Sequence, residues 1–169
     1  MTQATAADDR DLVITRHIAA TPNALFRCWT EPALIQQWFV PPPWTIAAAE
    51  VDLRVGGGNL IVMQSPEGEE MPNRGVYLEI VPDRKIVFTD AYIDAWTPSE
   101  KPFMTGIITF DPADGGTLYT ARVRHWTKTD RDAHEQMGFH EGWGKCADQL
   151  AALAATLPGD DGRREQTVD

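Results

Sequence analysis

Apolar and polar residues alternate in several short runs of this chain and recur every three or four residues in others. Residues 12–18 alternate as a strand. Thr21-Pro22 then supplies an N-cap with proline at the first helical position, which opens a short helix through Trp29. Thr30-Glu31-Pro32 repeats the signal for a second short helix over residues 33–39, and Pro41-Pro42-Pro43 ends it. Six β segments follow at 45–53, 59–64, 75–81, 85–92, 104–110 and 117–126, each bounded by turn residues such as Gly56-Gly57-Gly58 and Pro82-Asp83-Arg84. Most connections are of hairpin length, so the sheet is expected to be antiparallel.

The last apolar pattern is helical. Phe139, Trp143, Cys146, Leu150, Leu153 and Leu157 share one face of a long helix that is expected to begin at Thr129-Asp130-Arg131-Asp132, which resembles a capping box. Gly138, Gly142 and Gly144 fall inside it, and each interior glycine costs about 1 kcal/mol relative to alanine. Two explanations compete: another backbone approaches the helix closely, or empty volume lies beside it. The order of strand, two short helices, six strands and one long helix describes an α+β domain with its helices on one side of the sheet.

Composition narrows the function classes. A hydrophobic fraction of 43% in 169 residues suits one domain with its own core. Residues 1–10 read as a disordered lead, 11–157 as a single domain and 158–169 as a flexible tail. The net charge of −10 disfavours nucleic acid and anionic membrane surfaces alike. With no apolar run of membrane-spanning length, a cytoplasmic location is expected. Cys28 and Cys146 lie in helical patterns and read as reduced thiols packed as small hydrophobes.

Several stretches together resemble the START-like, or SRPBCC, helix-grip superfamily, and within it the family named after the activator of the heat-shock-protein-90 ATPase. They are Ile14-Thr15-Arg16, Phe26-Arg27-Cys28-Trp29-Thr30-Glu31-Pro32 into Gln37-Trp38-Phe39, Asp52-Leu53-Arg54-Val55-Gly56-Gly57, the run from Gly75 to Thr89, Gly115-Gly116-Thr117, and Gly138 to Trp143 with Leu150. The resemblance spans residues 12 to 155 in the family's own order. It implies a curved antiparallel sheet of about seven strands around a long C-terminal helix, with two short helices after the first strand and an apolar cavity between sheet and helices. The family's motifs are architectural, so fold likeness supplies no mechanism.

The aromatic and sulfur residues are the candidate ligand-binding set: Trp38, Phe39, Trp44, Met63, Tyr77, Phe88, Met104, Phe110, Tyr119, His125, Phe139 and Trp143. Alternation places Tyr119, Ala121, Val123 and His125 on one face of the last strand, and the charged Arg122 and Arg124 mark the other as outward. An inward lining of this kind suits a small apolar or aromatic molecule oriented by a few polar groups. His125 beside Tyr119, with His140 on the helix, would be the acid, base or orienting groups of an enzyme resembling the superfamily's cyclases and hydrolases. A hydrogen-bonded histidine at the rim is the simpler reading of His125. His134, Glu135, His140 and Glu141 do not form a metal site, because histidines six apart face different ways on a continuous helix. Gly56-Gly57-Gly58 precedes a strand and lacks the lysine of a phosphate loop. Neither a metal nor a cofactor is expected. The leading expectation is a small-molecule binding domain; the alternatives are an enzyme on the same fold and, from the family name alone, a module that stimulates a chaperone ATPase. Apolar residues in 38–44 or 96–103 form either a pocket lid or a homodimer contact.

Overall fold

The computed structural model describes residues 9–158, so the lead and tail read from the sequence lie largely outside the described residues. Among the described residues, nine strands and four helices appear in the order β1 (Asp11–Ile18), α1 (Pro22–Thr30), α2 (Pro32–Trp38), β2 (Thr45–Val51), β3 (Gly58–Gln64), β4 (Glu70–Val81), β5 (Lys85–Thr89), β6 (Tyr92–Asp94), β7 (Thr97–Pro98), β8 (Met104–Ala113), β9 (Gly116–His125), α3 (Lys128–Gln136) and α4 (Phe139–Ala154). Seven strands form one antiparallel sheet in the order β1-β9-β8-β5-β4-β3-β2, and β6 and β7 make a separate small hairpin. None of the helices among the described residues is long and apolar enough to cross a membrane.

Period-two alternation decides which face of the sheet is covered. Thr117, Tyr119, Ala121, Val123 and His125 of β9 are all buried, and the residues between them are not. Gly106, Ile108 and Phe110 repeat the pattern on β8. The cross-strand pairs Phe110↔Tyr119 and Ile108↔Ala121 align these residues in rows. At Phe88↔Gly106 the Phe88 ring lies where a Cβ of residue 106 would be, so the missing side chain makes room for the ring. The inner rows meet Leu25, Phe26, Cys28 and Trp29 of α1, Trp38 of α2, and Phe139, Ala147, Leu150 and Ala154 of α4 in one core.

Some boundaries differ from the sequence reading. The strand expected at 85–92 stops at Thr89, because the Asp90 carboxylate accepts the backbone N–H groups of Phe103 (2.8 Å) and Met104 (3.0 Å) and turns the chain out of the sheet. β4 begins at Glu70 although residues 70–74 show no alternation. That stretch pairs only with β3, so it is a local edge that tolerates Pro72 without a ladder donor on its open side.

The C-terminal helix carries the main difference. It is capped by Thr127, whose hydroxyl accepts the Asp130 N–H at 3.1 Å, and not at Thr129. It then breaks at Gly138, which adopts φ +96 and caps the long α4. The three glycines therefore answer to three causes. Gly138 supplies a left-handed turn, Gly142 borders open space, and Gly144 meets the Arg16 guanidinium, whose Nη2 would lie 2.9 Å from an added Cβ. Replacing Gly142 with alanine is expected to raise stability by about 0.5–1 kcal/mol through helix propensity. Gly138→Ala is expected to lower stability by about 1 kcal/mol or more, because the left-handed turn strains any side chain. Urea denaturation of both variants checks the opposite signs.

Candidate functional site

The end of the sheet where β5 and β9 finish and β8 begins holds a cavity of about 280 Å³. Its wall includes Phe103, Met104, His125 and Trp126, with Thr89, Asp90, Thr105, Arg10 and Arg124 supplying polar groups. Local structure accounts for this placement. Asp90 ties the start of the 90–103 loop to its end through the two hydrogen bonds above, which fixes Phe103 over the sheet's end. The Thr105 hydroxyl donates to that of Thr89 (3.0 Å), and the Thr89 oxygen also accepts the Ala91 N–H. On the outer side, Asp11 lies between Arg124 and Arg122 at 2.8 and 3.1 Å. Burial alone would raise the Asp11 carboxyl, but the two guanidiniums outweigh it and hold the group below the ordinary range.

His125 is 2% exposed, and both ring nitrogens are engaged. Nδ1 lies 2.8 Å from the Arg10 carbonyl and Nε2 lies 2.8 Å from His134 Nδ1. A carbonyl only accepts, so His125 Nδ1 carries the hydrogen. In the neutral pair His125 Nε2 then accepts from His134 Nδ1–H. Phe103 packs on both imidazoles, with centroids 5.4 and 5.0 Å away, and Phe139 also packs against His134 at 5.1 Å. Burial, reinforced by the neighbouring His125, pushes His134 down to about 4. His125 therefore meets the cavity as a fixed wall with no free nitrogen.

The other sequence candidates divide among separate places. Met104 and His125 alone of the candidate ligand-binding set line this cavity. Trp38, Phe39 and Phe88 surround Trp29, with centroids 5.0, 5.7 and 5.8 Å from it. Trp38 is 3% exposed, and its indole donates to the Cys28 carbonyl at 2.8 Å, which removes it from any surface lid or contact. Phe110 and Tyr119 face each other at 6.1 Å on the inner rows, and Tyr77 is buried with them in the core. Met63 packs with Ile35, Ile46 and Ile61 in a smaller cluster. Phe139 and Trp143 stack at 5.3 Å on α4, and Trp44 is half-buried before β2. His140 is exposed and bound to Glu135 at 3.1 Å. Thus His125, Tyr119 and His140 do not converge on one point. Among the described residues no group of three or more potential ligands could hold a metal ion. Cys28 and Cys146 are free thiols, each pushed up to about 11 by burial. Trp96, on the β6–β7 hairpin, is 89% exposed.

Sequence reasoning missed Trp29 and His134 as site residues. On a continuous helix His134 points away from the later aromatic stripe, and only the break at Gly138 turns it onto His125. Phe103 lay in the 96–103 stretch read as a pocket lid or a homodimer contact, and its own position beside His125 was not marked by any local signal.

The comparisons agree with this architecture. The model of the Activator of Hsp90 ATPase homolog 1-like protein family matches residues 19–155. A crystal structure of a Nitrosomonas europaea protein is 41% identical, with a TM-score of 0.85 over 89% of this chain and 97% of its own. One from Chromobacterium violaceum is 26% identical, with a TM-score of 0.70 over 85% of this chain and 96% of its own. An AHSA1-like protein of Aeromonas hydrophila shares the fold at 20% identity and a TM-score of 0.67, over 86% of this chain and 92% of its own. No curated protein matches the chain.

The histidine pair sets a pH dependence. His134 has a folded pKa near 4 against an ordinary value of 6.5, so below pH 6.5 the unfolded chain binds the proton that the folded chain refuses. The stability that His134 contributes is therefore expected to be present above pH 6.5, to decline as pH falls, and to level off below about 4. Urea midpoints measured across this window should fall in the native chain and fall less in His134→Phe.

Proposed function

Given that this chain belongs to the Activator of Hsp90 ATPase homolog 1-like family, we propose that it binds a small, largely apolar molecule in the cavity at the end of the sheet. The cavity itself carries the reading: about 280 Å³ of space walled by Phe103, Met104 and Trp126, with polar groups at its rim. An enclosed apolar space of roughly 150 Å³ accommodates benzene, so this volume suits a substituted single ring. Ordered polar groups favour orientation over chemistry. Both ring nitrogens of His125 are engaged, and a general base needs a nitrogen or oxygen free to reach its substrate; Asp90 spends one carboxylate oxygen on two backbone N–H groups. Binding is thus better supported than a cyclase or hydrolase role. The family name brings no chaperone activity to this chain, since one fold hosts many functions.

Titration of ¹⁵N-labelled protein with a panel of single-ring aromatic compounds tests the assignment. Binders are expected to shift the amides of Thr89 to Ala91, Phe103 to Thr105 and His125 to Trp126. A panel that shifts none of these at millimolar concentration would sink the proposal.

A further inference from the structure

Thr89, Thr105 and Arg124 form one cross-strand row, one residue out of step with the row of Phe88, Gly106 and Val123 that faces the helices. By alternation this polar wall of the sheet-end cavity stands on the face of the sheet turned away from α4. Its two threonine hydroxyls hold two hydrogens and make one bond to each other, at 3.0 Å. The Thr89 oxygen also accepts the Ala91 N–H, and no side chain or backbone group among the described residues accepts the second hydroxyl hydrogen. Whichever threonine donates to the other, one O–H is left to meet a ligand.

Asp90, the next residue along the wall, has the opposite capacity. Its Oδ1 accepts the N–H groups of Phe103 and Met104, and its Oδ2 makes no hydrogen bond among the described residues. An ionised carboxylate accepts and cannot donate. An O–H donor and a carboxylate acceptor side by side match a hydroxyl group, which both donates and accepts. An ether or ketone oxygen could use only the threonine hydrogen, and an ammonium could use only the carboxylate. A cation would also meet the guanidiniums of Arg10 and Arg124, which line the same cavity, so the matching group is neutral. Phe103, Met104 and Trp126 leave the rest of the wall apolar, as an aromatic ring requires.

We propose that the sheet-end cavity selects a phenol, a single ring whose hydroxyl donates to Asp90 Oδ2 and accepts from the Thr89–Thr105 pair. The inference rests on the cavity binding an aromatic ring and adds the group that the ring carries. Phenol, toluene, anisole and benzylamine are the probes, each titrated into ¹⁵N-labelled protein. Phenol is expected to bind about tenfold more tightly than toluene, which has the same shape without the hydroxyl, the effect of one charge-assisted hydrogen bond. It should also exceed anisole, whose oxygen accepts but cannot donate, and benzylamine, whose ammonium meets the arginines. Asp90→Asn keeps an oxygen for the Phe103 and Met104 N–H groups and turns the other acceptor into a donor. In that variant the preference for phenol over anisole should disappear while the amide resonances of Phe103 and Met104 stay in place. If the substitution disturbs the loop, the three affinity ratios in the native chain still decide. Equal binding of phenol and toluene, with shifts at residues 89–91 and 103–105, would overturn the hydroxyl assignment and leave the cavity reading standing. Tighter binding of anisole or benzylamine than of phenol, or an undiminished preference for phenol over anisole in an intact Asp90→Asn, would likewise overturn it. No shift from any of the four compounds would remove both.

Discussion

The left-handed turn at Gly138 is the constraint on which the arrangement depends. An uninterrupted helix from Lys128 would send His134 and Phe139 in directions set by a single helical screw. The φ of +96 at Gly138 instead lets α3 lie against the ends of β1 and β9 while α4 crosses the inner face of the sheet. Both packing surfaces follow from it: His134 against His125 on one side of the break, and Phe139, Ala147, Leu150 and Ala154 in the core on the other. Any residue with a Cβ would strain that turn.

The grip closes on itself mainly through rings. Trp29 is the hub for Trp38, Phe39 and Phe88, and Phe103, His134 and Phe139 form a second stack at the sheet's end. Edge-to-face and tilted contacts of this kind add to the burial of apolar area, so the two clusters fix how the helices sit on the sheet. Their polar atoms are satisfied unevenly. The second stack has its imidazoles hydrogen-bonded to one another and to the Arg10 carbonyl, whereas the Trp29 indole N–H meets the Tyr119 hydroxyl only in poor geometry.

Much of the architecture was legible in the sequence because alternation and capping are local signals. The order of elements, the antiparallel pairing and the inward face of β9 all follow from residues within a few positions of one another. The ordered family motifs placed those elements in a helix-grip fold, in agreement with the seven-stranded sheet. The site was less legible because it is made by long-range contacts. Asp90 holding Phe103, and His125 meeting His134, depend on a loop's return path and on the break at Gly138, neither of which is encoded by periodicity. The glycines show both sides. Their cost in a helix signalled something unusual, but only the folded structure separates the conformational need at Gly138 from the open space beside Gly142.

Native mass spectrometry after incubation with a mixture of single-ring aromatics, run beside an Ala91→Trp variant, is the most direct measurement. Ala91 lines the sheet-end cavity, and a tryptophan there would fill it. The account requires a defined non-covalent adduct on the native chain that is lost or strongly reduced in the variant. A bare polypeptide mass from both proteins, or the same adduct on both, would contradict it.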